Sequence, residues 1–170
     1  MKTLLISSSL AKNSKSLILV QNVAKKLEKL GSTVELVDAK NLNLTPTHVE
    51  NSNEMDDFIQ KVATFDNIVI GMGVHCYSMS DSLKIILDTC LKGAENKFFG
   101  IVCAAGGERS YLSTQHVTQV CMNEYRMIQL PRILYVTGKD FSGGVISSED
   151  ILERLDQFAQ EFYTIGNKLL

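Results

Sequence analysis

The sequence predicts a three-layer α/β domain built on a five-stranded parallel sheet, and three observations carry that expectation. Short apolar, β-branched runs alternate with amphipathic helical patterns along the whole 170 residues. The run Asn67-Ile68-Val69-Ile70-Gly71 is almost continuously apolar, as a strand covered on both faces must be. The strands open into polar or glycine-containing loops before the next helix, so the loops gather at the carboxyl ends of the strands. Right-handed crossovers leave few strand orders, and 2-1-3-4-5 is the common one for this number of strands.

The elements follow in order. Leu4-Leu5-Ile6 forms the first strand and turns at once into a hydroxyl-rich stretch containing Ser7, Ser8, Ser9, Ser14 and Ser16. From Ser14 to Leu30 the apolar residues Leu17, Val20, Val23, Ala24, Leu27 and Leu30 recur at helical steps, and Gly31 stops the helix. Thr33–Asp38 is a short β-branched strand, and 39–53 is a polar connection. Helical spacing resumes at Glu54 with Met55, Phe58, Ile59 and Val62, and Asn53 is the expected cap. After the strand Asn67–Gly71 comes a loop, Met72–Asp81, then a helix over Ser82–Leu91. Phe98–Ala104 is the fourth strand, followed by Ala105-Gly106-Gly107-Glu108-Arg109-Ser110 and a helix from about Ser110 to Met127. Arg132–Val136 makes the fifth strand, and a capped final helix covers Ser148–Lys168.

Composition narrows the class of function. Charged residues make up 21% with a net charge of −2, which points to neither nucleic acid nor an anionic membrane as a partner. The apolar run before the serines is too short for a signal peptide, and no stretch reaches the ~20 apolar residues of a membrane span. A single domain over residues 1–170, soluble and cytoplasmic, is expected. Cys76, Cys90, Cys103 and Cys121 are widely spaced, with no C-x-x-C and no paired histidine ligands, so no metal site is expected. Cys90 and Cys103 fall in apolar patterns and read as buried thiols.

The serine stretch is the strongest chemical signal. A helix N-terminus leaves backbone N–H groups unpaired and carries roughly half a positive charge, so it attracts phosphate. The serine hydroxyls and Lys12 add donors there, although any one serine could serve only as a helix cap. Neither G-x-x-x-x-G-K-[ST] nor G-x-G-x-x-G is present, which disfavours a P-loop NTPase or a dinucleotide-binding fold. In the expected topology the serine loop, the His75-Cys76-Tyr77-Ser78 loop and the Gly106-Gly107 loop converge where the strand order reverses.

On these residues the chain resembles the NADPH-dependent FMN reductase family, a flavodoxin-like group of flavin, quinone and azo reductases. Ser8-Ser9-Leu10-Ala11-Lys12-Asn13-Ser14-Lys15-Ser16 is similar to the family's Gly-Ser-x-Arg-x-x-Ser-x-Asn phosphate loop. Ser8, Ala11 and Ser16 stand where the pattern has glycine, arginine and asparagine. Val74-His75-Cys76-Tyr77-Ser78-Met79-Ser80 and the following Leu83-Lys84-Ile85-Ile86-Leu87-Asp88 resemble the family's second flavin loop and its helix. Ala105-Gly106-Gly107 is similar to its turn after the fourth strand.

The resemblance implies a flavodoxin-like FMN domain that takes hydride from NADPH and passes electrons to a flavin, quinone or azo acceptor. The implied cofactor residues are Ser9, Ser14 and Ser16 at the phosphate, joined by Ser7, Ser8 and Lys12 of the same stretch. Val74, His75, Cys76, Tyr77 and Ser78 would lie along the ring edge, with Ala105, Gly106 and Gly107 beneath it. No side chain is expected to act as acid or base, because the flavin carries the chemistry. The family also implies a homodimer through the helix Leu83–Leu91, which is apolar on more than one face. Two other classes of function stay open: a flavodoxin-type electron carrier and a cofactor-free binding module. Cys76 has an alternative reading as a nucleophile. Arg109 reads either as a contact for the NADPH 2′-phosphate or as a solvated residue, and His48 and His116 have no assigned role.

Overall fold

The computed structural model describes Met1–Leu170. Strands β1 (Lys2–Ser7), β2 (Thr33–Asp38), β3 (Asn67–Gly73) and β4 (Phe98–Ala105) lie side by side in the order β2-β1-β3-β4, all parallel. The fifth position is shared by β5 (Ile128–Gln129) and β6 (Leu134–Thr137), each paired with β4. Pro131 lies between them, and a residue without an N–H cannot carry a ladder through. The expected order is present, with its last strand broken at that proline and resuming at Leu134 rather than Arg132. The architecture is flavodoxin-like.

Alternation along each strand sends residues to opposite faces. Leu4, Ile6, Ile68, Ile70 and Phe99 pack beneath α2 (Asn53–Ala63), α3 (Asp81–Ile85) and α4 (Thr114–Glu124). Leu5, Val69, Val102 and Val136 pack against Leu19, Val23, Phe158 and Phe162 of α1 (Lys15–Lys29) and α5 (Glu149–Lys168). No helix is long and apolar enough to cross a membrane.

Serines begin four of the helices. Ser14, Ser52, Ser80 and Ser148 each accept an N–H from the first turn, those of Leu17, Met55, Leu83 and Ile151. Ser52 therefore caps α2 in place of Asn53, which is the first helical residue. α3 begins at Asp81 and passes at Ile86 into a π-helical segment, Ile86–Cys90, where the Tyr125 hydroxyl donates to the freed Leu87 carbonyl at 2.5 Å. Leu83, Ile86, Leu87, Cys90 and Leu91 are all buried within the monomer, so the helix's apolar faces are used internally. The helix expected from Ser110 begins at Thr114, because Glu108–Ser113 is a 3-10 segment kinked at Ser110. A small hairpin not anticipated in the sequence, β7 (Phe141–Ser142) and β8 (Val145–Ile146), turns through Gly143 and Gly144 at φ 55° and 80°.

Gly71 fixes how closely α1 lies on the sheet. A Cβ there would sit 2.2 Å from Val20 Cγ2 and 3.0 Å from the Ile6 carbonyl oxygen. Val20 is β-branched and held in one helical rotamer, so it cannot swing aside. Gly71→Ala should lower the stability to urea by about 1–3 kcal/mol through overpacking. Adding Val20→Ala should recover part of that loss, and an additive double mutant would show that the two do not meet.

Candidate functional site

The loop between β1 and α1 is held from below. Ser7 pairs with Asp38 on one side and Gly71 on the other, and its buried Oγ has no hydrogen-bond partner. Ser8 extends that pairing: its N–H and its Oγ both donate to the Gly71 carbonyl, at 3.1 and 2.8 Å. The Ser8 carbonyl in turn accepts from Ser82 Oγ at 2.7 Å, which ties the loop to the start of α3. Ser8 is fully buried, so its hydroxyl is spent on the fold rather than offered to a ligand.

Above Ser8 the loop changes character. Ser9 Oγ accepts the Ala11 N–H at 3.2 Å, while the backbone N–H groups of Ser9, Leu10, Lys12, Asn13 and Ser14 find no acceptor in the protein. Ser14 Oγ caps Leu17 N–H and lies 3.0 Å from the buried Ser16 Oγ. Either hydroxyl of this pair can donate, and when Ser16 does, Ser14 keeps its own O–H for an outside acceptor. Lys12 is exposed and has no carboxylate partner. Unpaired amides, a helix N-terminus, a free ammonium and two serine hydroxyls make an anion seat.

The second loop is a tight hairpin. His75 N–H donates to the Ser78 carbonyl at 2.9 Å and Ser78 N–H returns to the His75 carbonyl at 2.8 Å. Its turn residues Cys76 and Tyr77 have φ of 46° and 59°. Both are left-handed, at a cost of roughly 1–2 kcal/mol per residue without glycine. Val74 N–H goes to the Ala104 carbonyl at 3.3 Å and its side chain packs on the core. The amides of Val74, His75 and Ser78 are thus committed within the fold, while those of Cys76 and Tyr77 have no protein acceptor. Tyr77 is 65% exposed. The Cys76 thiol is exposed and makes no hydrogen bond, so no side chain is placed to activate it as a nucleophile. Ser78 Oγ lies 2.8 Å from Nδ1 of His116 on α4, a pairing with no signature in the sequence.

The third loop leaves β4. Ala105 belongs to the strand itself, buried and paired with Thr137, rather than to the loop. Gly106 and Gly107 are exposed, and a Cβ on either would meet nothing within 4 Å. The Tyr135 hydroxyl holds this turn, donating to the Gly107 carbonyl at 2.6 Å with Ser110 Oγ 2.9 Å away. Arg109 is exposed without an acidic partner.

A fourth loop, following β6, joins the cluster. Lys15 Nζ reaches toward the Gly138 carbonyl at 3.5 Å and lies 5.4 Å from the Phe141 ring centroid. A cavity of about 600 Å³ opens here between Lys12, Ser14, Lys15, Phe141 and the Gly143-Gly144 turn. The Gly-Gly dipeptide flanked by Phe141-Ser142 and Val145-Ile146 was the sequence signal for this hairpin.

A family model for NADPH-dependent FMN reductases matches residues 1–142, a span containing the first three loops in full. The chain belongs to that family. FMN reductases are flavin-dependent oxidoreductases, and the solved structures that this one superposes on agree in fold. It matches the apo form of an NADH:FMN oxidoreductase, EmoB, with a TM-score of 0.82 at 14% identity over 96% of this chain and 89% of that one. FerB, an NAD(P)H:acceptor oxidoreductase from Paracoccus denitrificans, gives 0.78 at 13% identity over 98% and 97%. A flavodoxin from the domain Archaea gives 0.70 at 14% identity over 99% of both chains. Among curated proteins no sequence matches it.

The residues fit the cofactor of the family. The unpaired amides of the serine loop suit a phosphate, and the bare glycines of the third loop leave a face that a flat ring can approach. The thiols away from this site are inert by burial, which pushes Cys90 up to about 11 and Cys103 and Cys121 up to about 12. They stay protonated well above neutral pH, and only Cys76 is accessible. At pH 8 a disulfide thiol reagent should therefore titrate one equivalent rapidly in the native protein and the other three only on unfolding. A second fast equivalent would contradict this burial.

Proposed function

We propose that this FMN reductase binds FMN across the carboxyl ends of β1, β3 and β4, receives hydride from NADPH, and delivers electrons to a flavin, quinone or azo acceptor. The observation that carries the reading is the row of backbone N–H groups from Ser9 to Ser14 with no acceptor in the protein, set at the N-terminus of α1. Bound FMN would supply the electron-transfer chemistry.

The chain's own residues would bind and orient. Ser9, Ser14, Lys12 and the loop amides would hold the phosphate, with Ser7 and Ser16 buried just behind them. The free amides of Cys76 and Tyr77 would donate to the ring edge and favour the negative charge of the reduced form. Gly106 and Gly107 would let the backbone approach the ring face. Leu10, Tyr77, Tyr111 and Leu112 are exposed on three of these loops, which supports a flat, apolar acceptor. Arg109, free of any carboxylate, is available to the 2′-phosphate that distinguishes NADPH.

Assembly and location belong to the same reading. We infer a homodimer, as the family resemblance implies, contributed by outer surface of α3 and α4 such as the half-buried Ile85 and the exposed Met122 rather than by the buried residues of α3. Sedimentation should give a dimer at micromolar concentration, and a clean monomer would refute it. The free thiols suit a reducing, cytoplasmic setting.

The test is a titration followed by flavin absorbance. Wild-type protein should shift the FMN spectrum, and Ser9→Ala with Ser14→Ala should weaken binding on the order of 10- to 100-fold, as expected for lost hydrogen bonds to a charged group. Riboflavin, which lacks the phosphate, should lose far less. Equal losses for the two ligands would place the phosphate elsewhere, and an unchanged FMN spectrum would remove the reading. NADPH oxidation without a protein partner separates this enzyme from an electron carrier.

A further inference from the structure

The hairpin Val74–Ser80 stands in an unfavourable conformation whose tip has few supports. At its base Val74 and Met79 pack on the core, and Ser80 caps α3. The tip holds two consecutive left-handed residues, Cys76 and Tyr77, neither of which is the glycine or asparagine that such a turn favours. Backbone of this kind persists only where the surroundings over-determine it. Two things hold it here: the paired backbone bonds between His75 and Ser78, and the single side-chain bond from Ser78 Oγ to Nδ1 of His116. That side-chain bond, at 2.8 Å, is the only one that joins the tip to the body of the protein, and it spans from the end of β3 to the first turn of α4.

The geometry points to His116 as a positioning residue for the flavin-facing amides. His116 fixes Ser78, Ser78 fixes the hairpin closure, and the closure aims the free N–H groups of Cys76 and Tyr77 toward the open side of the site. This rests on the FMN reading above, in which those amides stabilise the reduced ring. The link works in either tautomer of the imidazole, since Nδ1 accepts the serine proton in one and donates to the serine oxygen in the other. An asparagine at this position can place an amide oxygen near where Nδ1 lies, whereas alanine removes the link altogether.

The experiment compares wild type, His116→Asn and His116→Ala in two measurements. The first is amide hydrogen exchange at His75 and Ser78 in the cofactor-free protein. His116→Ala should exchange about tenfold faster there than wild type, and His116→Asn should stay close to wild type. The second is the midpoint potential of bound FMN. His116→Ala should weaken reduced FMN about tenfold relative to oxidised FMN, a shift of about 30 mV to more negative potential for a two-electron couple. His116→Asn should restore most of it.

Unchanged exchange in His116→Ala would overturn the proposal, because the hairpin would then stand without the histidine. Faster exchange with an unmoved potential would also overturn it, leaving His116 with a purely structural role. A failure of His116→Asn to restore either quantity would show that the hydrogen bond is not what matters. If wild-type protein binds no FMN, the reading on which the proposal rests falls instead, and the exchange result still decides whether His116 holds the loop.

Discussion

The carboxyl end of this sheet depends on one residue without a side chain. Gly71 lets α1 settle on β3 with Val20 directly above it, where even a methyl group would collide. Its carbonyl receives both hydrogen-bonding groups of Ser8, which ends the pairing of β1 and β3. Helix and strand are thereby set at a close, fixed distance. The chain between them must arch over the end of the sheet from Ser9 to Ser14, and that arch leaves its N–H groups pointing away from any protein acceptor. Most of the arch is exposed, so its N–H groups are open to water or to a bound acceptor. A row of unpaired ones at a helix N-terminus is therefore a place prepared for solvent or an anion.

Beyond the packing of Val74, Met79 and Phe141 at their bases, the other loops are tied to this arch and to one another by single side-chain polar contacts. Ser82 anchors the arch to α3, Ser78 and His116 join the hairpin to α4, and Tyr135 holds the Gly106-Gly107 turn. Lys15 and Lys139 draw in the loop after β6, through Gly138 and Glu108. The exposed ion pair contributes little stability on its own. The buried serine contacts count for more, since leaving one partner unsatisfied carries the desolvation cost of that group. A rigid sheet thus presents loops whose conformations are set one hydrogen bond at a time, which suits a site that must fit a flat, phosphorylated cofactor.

Much of the fold was legible in the sequence. The apolar periods of Leu17 to Leu27 and of Ile68 to Ile70 locate α1 and β3, because each reflects burial against the sheet. The breaks that were not read correctly have local causes. Pro131 divides the last strand, the Ser110 kink delays α4, and the π-helical segment after Ile85 is met at the Leu87 carbonyl by the hydroxyl of Tyr125, far along the chain. At the candidate site, the residue types marked loops that the parallel sheet brings to one end of its strands, but not the division of labour within them. Ser8 and Ser9 are chemically identical neighbours, yet one is fully buried against Gly71 and the other is only half-buried. Nothing in a serine-rich string distinguishes them, because the difference arises from strand register. His116 was invisible for a similar reason, as its partner Ser78 comes from another loop.

The central claim is that the backbone from Ser9 to Ser14 is the seat of the cofactor's phosphate. It is tested most directly by following the backbone amide resonances of isotopically labelled protein during parallel additions of FMN and riboflavin. The account predicts that the N–H signals of Ser9, Leu10, Lys12, Asn13 and Ser14 move strongly downfield with FMN and little with riboflavin, as unpaired donors acquire a charged acceptor. Signals in that stretch that stay in place while FMN binds, or that move equally with riboflavin, would contradict it.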